Sequence, residues 1–391
     1  MTYALLSTAF LAVAVIGGAV LARCAGSALS WGAIAGAGVA LLVLTALFDS
    51  LMIAAGLFTY EEGLISGLRV GLAPVEDFAY PLAAVLALPP LWVLLSRSGT
   101  GSAAALLRHA WVASRPVSWV NTAFPFAAAT LLTTREVDWL LVVGTIYYLV
   151  PYNLALYGVN DVFDYASDVK NPRKGGIEGA LLPPALHRPM LWLAFGANLP
   201  FLALLLAAGT PASALALAVS SFALVAYSAP GLRFKEQPVL DSITSSAHFV
   251  TPAIVGLALA GADVDTALVL LLAAFFVWGV AAHAFGAVQD IVPDREAGIG
   301  SIATALGAAR TVRIALALWL TAGALMLLTP WPGPLAAGLA VPYLANCAPY
   351  VRISDAESAR TNGAWRRFIW LNYCSGFLVT LILILFWSIS S

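Results

Sequence analysis

VVGTIYYLVPYNLALYGVNDVFDYASD, residues 142–168, holds the two facts that decide the fold. An apolar run with no charge ends abruptly in acid: Asp161, Asp164 and Asp168 fall within eight residues. The run is part of an apolar stretch over 138–158, about 20 residues, which is the length a helix needs to cross the hydrocarbon of a bilayer. The three aspartates stand at i, i+3 and i+7, so a helix carries them on one face. The stretch therefore predicts a membrane-spanning helix with an acidic face at its mouth.

The rest of the chain repeats the first half of that pattern. Of its 391 residues, 61% are apolar and 10% charged, against about 25% charged in soluble domains. Twelve candidate spans are expected. Three precede residue 97, at 3–22, 31–58 and 78–96. Nine follow, at 117–133, 138–158, 190–208, 212–229, 245–261, 266–285, 312–328, 331–350 and 368–388. The fold class is all-α and polytopic, with a three-span unit over 1–98 and a nine-span bundle over 117–391. A small, polar, basic linker over 99–116 joins them. The first run has no basic leader and no small-residue cleavage site, and reads as a retained span. Cys24, Cys347 and Cys374 form no CxxC pair and suggest neither disulfides nor a metal site. A formal net charge of −1 gives no reason to expect nucleic acid.

Basic residues give the orientation. Alternate loops hold Arg97, Arg108 and Arg115; Lys170, Arg173, Lys174 and Arg188; Arg233 and Lys235; Arg295, Arg310 and Arg313; and Arg352, Arg360, Arg366 and Arg367. The short loops between them hold Arg135 alone. By the positive-inside rule the basic loops are cytoplasmic and both termini outside, in a multi-pass protein of the cell membrane.

A second acidic cluster, QDIVPDREAG, sets Asp290 and Asp294 one helical turn apart on the same side of the membrane. Two carboxylate faces at one depth repel unless a cation lies between them. Mg²⁺ takes hard oxygen ligands, keeps waters, and binds through carboxylates plus substrate phosphates. The pair of clusters thus points to a Mg²⁺–diphosphate site ligated by Asp161, Asp164, Asp290 and Asp294, with Asp168 direct or through water. Asn160 would hold a ligand or phosphate oxygen. Lys170, Arg173, Lys174, Arg295 and above all Arg233 and Lys235, aimed by the turn at Pro230 and Gly231, would neutralise a diphosphate. The plain alternative is wet helix ends and ordinary loop cations.

These residues resemble a known family. N-D-x-x-D-x-x-x-D at 160–168, D-x-x-x-D-x-x-x-G at 290–298, Y-S-x-P-x-L-R-x-K at 227–235 and S-R-P-x-S-W at 114–119 look like the signature of UbiA-type intramembrane prenyltransferases. The fuller strings around Asp161 and Asp290 are most similar to the lycopene elongases of fifty-carbon carotenoid pathways. The stretch 48–83, with P-x-E-D at 74–77, resembles the three-span subunits of heterodimeric carotenoid cyclases. The resemblance implies Mg²⁺-dependent transfer from dimethylallyl diphosphate to lycopene. It also implies end-ring closure with a second, separate cyclase subunit. Tyr227 or Tyr157 would face the carbocation or the diphosphate. Glu76 and Asp77 would supply protons from carboxyls whose pKa low dielectric raises. Asp49, inside the second apolar run, is a further candidate, with pairing to Arg69 as the bland reading; Glu61 and Glu62 read as loop residues. His248 and His283 read as helix-packing hydrogen bonders. Two other functions stay open at this stage: the same chemistry on a quinone-precursor or chlorophyll-type acceptor, and a membrane transporter.

Overall fold

The computed structural model describes residues 2–26, 29–96, 103–165, 169 and 181–390. The chain divides into two compact units, Met1–Arg108 and His109–Ser391.

The first unit is built on α1 (Thr2–Ala25), α2 (Trp31–Ala54) and α3 (Ala79–Ser96). α1 packs along α3 and approaches it most closely at Gly18. A Cβ there would lie 2.7 Å from the Leu86 carbonyl oxygen. Between α2 and α3 the chain makes a minimal antiparallel hairpin, β1 (Arg69–Val70) and β2 (Ala73–Pro74). Its two-residue turn begins on Gly71 at φ 66°, the positive φ that tight hairpins require and glycine supplies. Ser50 of α2 pins the turn by accepting from the Leu72 N–H at 3.0 Å. A 3₁₀ turn, Val75–Phe78, then presents Glu76 and Asp77 at the head of α3.

The second unit contains the remaining helices. α4 (Ala103–Ala113) begins in the stretch expected to be a linker and crosses the boundary between the units. There follow α5 (Val120–Thr134), α6 (Trp139–Leu149), α7 (Pro151–Phe163), α8 (His187–Ala208), α9 (Pro211–Ser228), α10 (Leu240–Ala260) and α11 (Thr266–Val288). The short helices α12 (Ile291–Ala297) and α13 (Ile302–Leu306) precede α14 (Ala308–Leu327), α15 (Ala340–Cys347) and α16 (Asn362–Ile389). α10 is the central post: it packs against α5, α9 and α11. α11 and α14 lie together over a core of Phe285, Trp319, Tyr343 and Phe368.

Among the described residues, nine helical stretches are long and apolar enough to cross a membrane. Nine of the twelve expected spans coincide with them. The protein is a multi-pass, all-α membrane protein. The expected span at 138–158 is two helices, α6 and α7, broken at Pro151, whose ring removes an N–H and starts the second helix. That over 117–133 is α5, only 15 residues after a 3₁₀ turn at Pro116–Ser118. That over 331–350 is no continuous α-helix. Prolines at 330, 332, 334, 342 and 349 divide it into a 3₁₀ stretch, the eight-residue α15 and a final 3₁₀ turn. The third expected span forms as α3, with Pro89 and Pro90 inside it.

Candidate functional site

The first acidic motif closes α7. Asp161 is 1% exposed, and a buried carboxylate needs a partner. It finds one 46 residues back: Arg115 Nη2 lies 3.2 Å from Asp161 Oδ1. The same guanidinium lies over the Tyr157 ring, 4.3 Å from its centroid, where the ring face attracts a cation. Arg115 takes a left-handed backbone at φ 50°, a conformation that costs a side-chain-bearing residue roughly 1–2 kcal/mol. Its Nε is buried with no hydrogen-bond partner among the described residues.

The basic turn after α9 supplies the second layer. Pro230 and Gly231 end the helix, and Arg233 again adopts positive φ, 41°. Arg233 Nη2 stands 3.5 Å from Asp164 Oδ1 and also pairs with Glu236. Lys235 pairs with Asp164 and donates to Asn160 Oδ1 at 3.0 Å. Ser228 donates to the same oxygen at 2.9 Å. Burial pushes the Lys235 ammonium below the usual lysine range, and Asp164 only partly restores it. The Arg233 hydrogen bond holds the Glu236 carboxyl below its ordinary value. Two motifs separated by about 70 residues thus meet as alternating charges.

The second acidic motif lies beyond α11. Asp290 precedes α12 and accepts the Asp294 N–H at 2.9 Å, so the two carboxylates stand one turn apart as their spacing predicts. Arg295 is placed on other duty. It donates to Asp355 Oδ2 at 2.7 Å and to the Thr304 carbonyl at 2.9 Å, while Asp355 Oδ1 caps α14 through the Ala308 N–H. Tyr227 is hydrogen-bonded to His283 Nε2 at 3.3 Å, and His283 Nδ1 to Ser242 Oγ at 3.1 Å. Asp241 anchors that string by accepting from the Ser242 and Ile302 N–H groups. Among the described residues, no group of three or more His, Cys, Asp or Glu side chains converges as a metal cage. Asp168, Lys170, Arg173 and Lys174 lie outside the described residues.

The acids of the first unit meet different company. Glu76 is 6% exposed; its Oε1 accepts from the Ser66 N–H at 2.5 Å and its Oε2 has no partner among the described residues. Burial raises its carboxyl, but the amide of Ser66 and its own N–H outweigh burial and hold it below the ordinary range. This corrects the expectation of a raised pKa, because low dielectric was counted without the donors. Asp77 Oδ2 accepts from the Tyr60 hydroxyl at 2.6 Å, and the Asp49 carboxyl lies beside that of Asp77. Arg69 pairs with Glu62 instead of Asp49. Burial, with Asp77 beside it, pushes the Tyr60 phenol up.

Residues 122–372 match the UbiA prenyltransferase family. The chain belongs to the UbiA prenyltransferase family. It is 47% identical over 392 aligned positions to a C(50) beta-cyclic carotenoids biosynthesis protein, LbtBC, of Dietzia sp. (strain CQ4), covering 91% of this chain and 90% of that one. It is 45% identical to a lycopene elongase/hydratase of Corynebacterium glutamicum, over 71% of this chain and 97% of the relative. A UbiA homologue from Archaeoglobus fulgidus, solved with GPP and Mg²⁺, shares the fold at TM-score 0.51 and 18% identity, covering 68% of this chain and 99% of its own. These likenesses make the chain a prenyltransferase. Four residues without a site role in the sequence reading complete the picture: Arg115, Glu236, Asp241 and Tyr60. Only Arg115 had a sequence signal, a cation fixed just before a proline in S-R-P-x-S-W.

Proposed function

We propose that the second unit transfers the prenyl group of dimethylallyl diphosphate to the ends of lycopene, with Mg²⁺ bound by the aspartate motifs. On this reading the first unit, with a separately encoded cyclase subunit, closes the end ring in fifty-carbon carotenoid synthesis. One observation carries it: Arg115, Arg233 and Lys235 converge on Asp161 and Asp164 at the end of helices whose composition is predominantly apolar.

The donor set fits the metal. The oxygens are hard carboxylates, those of Asp161 and Asp164 ion-paired with cations that a charged substrate can draw away, and Arg115 Nε still has a proton to give. Bound Mg²⁺ supplies charge neutralisation at the leaving diphosphate. Asp161, Asp164, Asp290 and Asp294 hold it, with Asp168 as a further ligand. Asn160, Arg115, Arg233 and Lys235 bind and orient the diphosphate, joined by Lys170, Arg173 and Lys174 from the loop beyond. The rings of Tyr157 and Tyr227 face the allylic cation. The lycopene double bond attacks it, and a tertiary cation is left on the acceptor. Its quenching by water, proton loss or ring closure decides the product. Dry walls around the cation exclude premature hydrolysis. In the first unit, Glu76 and the Asp77–Asp49 pair manage the proton of ring closure. The names of the Dietzia and Corynebacterium relatives favour the carotenoid acceptor, and the GPP and Mg²⁺ in the archaeal homologue favour the donor site. The basic loops favour a cytoplasmic side of the cell membrane for the aspartate motifs, with both termini outside.

Expression in a lycopene-accumulating host, with and without a candidate partner subunit, tests this by pigment mass. Products heavier by whole five-carbon units are expected from the chain alone, and rings only with the partner. A pigment profile identical to the empty host sinks the reading.

A further inference from the structure

α10 carries His248, which prenyl transfer as described leaves without a task. The residue is 3% exposed. Its Nδ1 lies 3.2 Å from the Tyr152 hydroxyl, and its Nε2 has no hydrogen-bond partner among the described residues. Aromatic rings surround it: Tyr227 edge-on with centroids 5.2 Å apart, Tyr152 at 6.4 Å, and Tyr148 packed on Tyr152 at 5.0 Å.

The hydroxyls behind it set its tautomer. Each hydroxyl has one proton to give. Thr251 lies 2.8 Å from the Ala247 carbonyl, which can only accept, so its proton goes there. Thr251 then accepts from Ser220, 3.0 Å away. With the Ser220 proton spent, Ser220 accepts at 3.5 Å from Tyr152. The Tyr152 oxygen is left to accept from His248 Nδ1–H. The imidazole proton therefore sits on Nδ1, and Nε2 keeps its lone pair. A buried acceptor without a partner is costly, and Nε2 has none among the described residues. A polar guest that donates to it removes the cost, and water is the smallest that does.

We propose that His248 Nε2 holds the water that quenches the tertiary cation on the acceptor, and takes its proton. This rests on the elongation reading above. The donor C–O bond breaks and its electron pair leaves with the diphosphate. The acceptor double bond gives its pair to the new C–C bond. A lone pair of the water forms a C–O bond at the tertiary carbon, and the O–H pair returns to oxygen as the proton moves to Nε2. The sum is one water consumed, one diphosphate and one proton released. Tyr152, Ser220 and Thr251 are positioning residues that keep Nε2 unprotonated.

The full chain, in membranes of a lycopene-accumulating host supplied with heavy-oxygen water, tests this by product mass. Wild type is expected to give elongated product bearing one labelled hydroxyl. In His248→Asn the five-carbon gain persists, while the labelled fraction falls at least about tenfold in favour of alkene. An unchanged labelled fraction overturns the proposal, and so does a wild type that elongates without label. Absence of elongation by wild type instead overturns the elongation reading. Should His248→Asn fail to accumulate, Tyr152→Phe keeps the imidazole and frees Nδ1. A drop in labelled fraction is expected there too, and a ratio equal to wild type overturns the proposal.

Discussion

Aspartates and glutamates occur in both units of this protein, and they are held in opposite ways. At the end of α7, Asp161 and Asp164 are met by the cations of Arg115, Arg233 and Lys235. At the head of α3, Asp77 is met by a phenol and by another carboxyl, Asp49, and Glu76 by backbone N–H groups. Cations around a carboxylate are partners that a more highly charged guest can displace. Backbone N–H groups hold the Glu76 carboxyl low without any charge to trade, while Asp77 has a phenol and a second acid for company, neighbours between which a proton can pass. The residue type says acid; its neighbours say which kind of acid chemistry.

That contrast can be broken by experiment. The largest effect is expected from Asp161→Ala, which removes a proposed metal ligand and takes from Arg115 its ion-pair partner. Five-carbon transfer to lycopene should fall about 10³-fold or more, and near-wild-type pigment masses would refute the ligand assignment. Glu76→Gln attacks the other kind of acid. Ring formation with the partner subunit should drop about 10²-fold while elongation is untouched; loss of both activities would mean the units are not chemically separable. Arg115→Met should cost about 10- to 100-fold in elongation, as the loss of groups that orient ligands does, seen mainly as weaker donor saturation. The mildest is Lys235→Arg. The Lys235 pKa is depressed, so its charge is fully present at low pH and is lost as pH rises through a value below the usual lysine range. Donor affinity of wild type should therefore weaken on the alkaline side. The arginine variant, charged throughout, should show a flatter profile, measurable as donor KM against pH.

Much of this was legible in the chain. The acids at 161 and 164 and the pair at 290 and 294 needed only helical spacing, while Asp168 lies outside the described residues. The membrane class needed only run length. Span counting stumbled where hydropathy and backbone geometry part: 331–350 is apolar, but its prolines cannot continue an α-helix. Pairings between distant segments were hidden for another reason. Nothing local to Arg115 announces Asp161, and nothing local to Arg295 announces that Asp355 and the Thr304 carbonyl claim it. Glu76 misled in sign because burial is visible in a sequence and a Ser66 N–H aimed at it is not.

Asn160 is expected to hold a ligand or phosphate oxygen, and its neighbours bear on which end of the amide is free to do so. Lysine ammonium has protons to give and no lone pair, so the group that Lys235 reaches at 3.0 Å must be the amide oxygen. Ser228 takes up that oxygen as well. The carbonyl end is spoken for by the protein itself, and the end left to greet a guest is the NH₂. An amide held this way selects by polarity: its free end suits an oxygen-rich anion and has little to offer a bare cation.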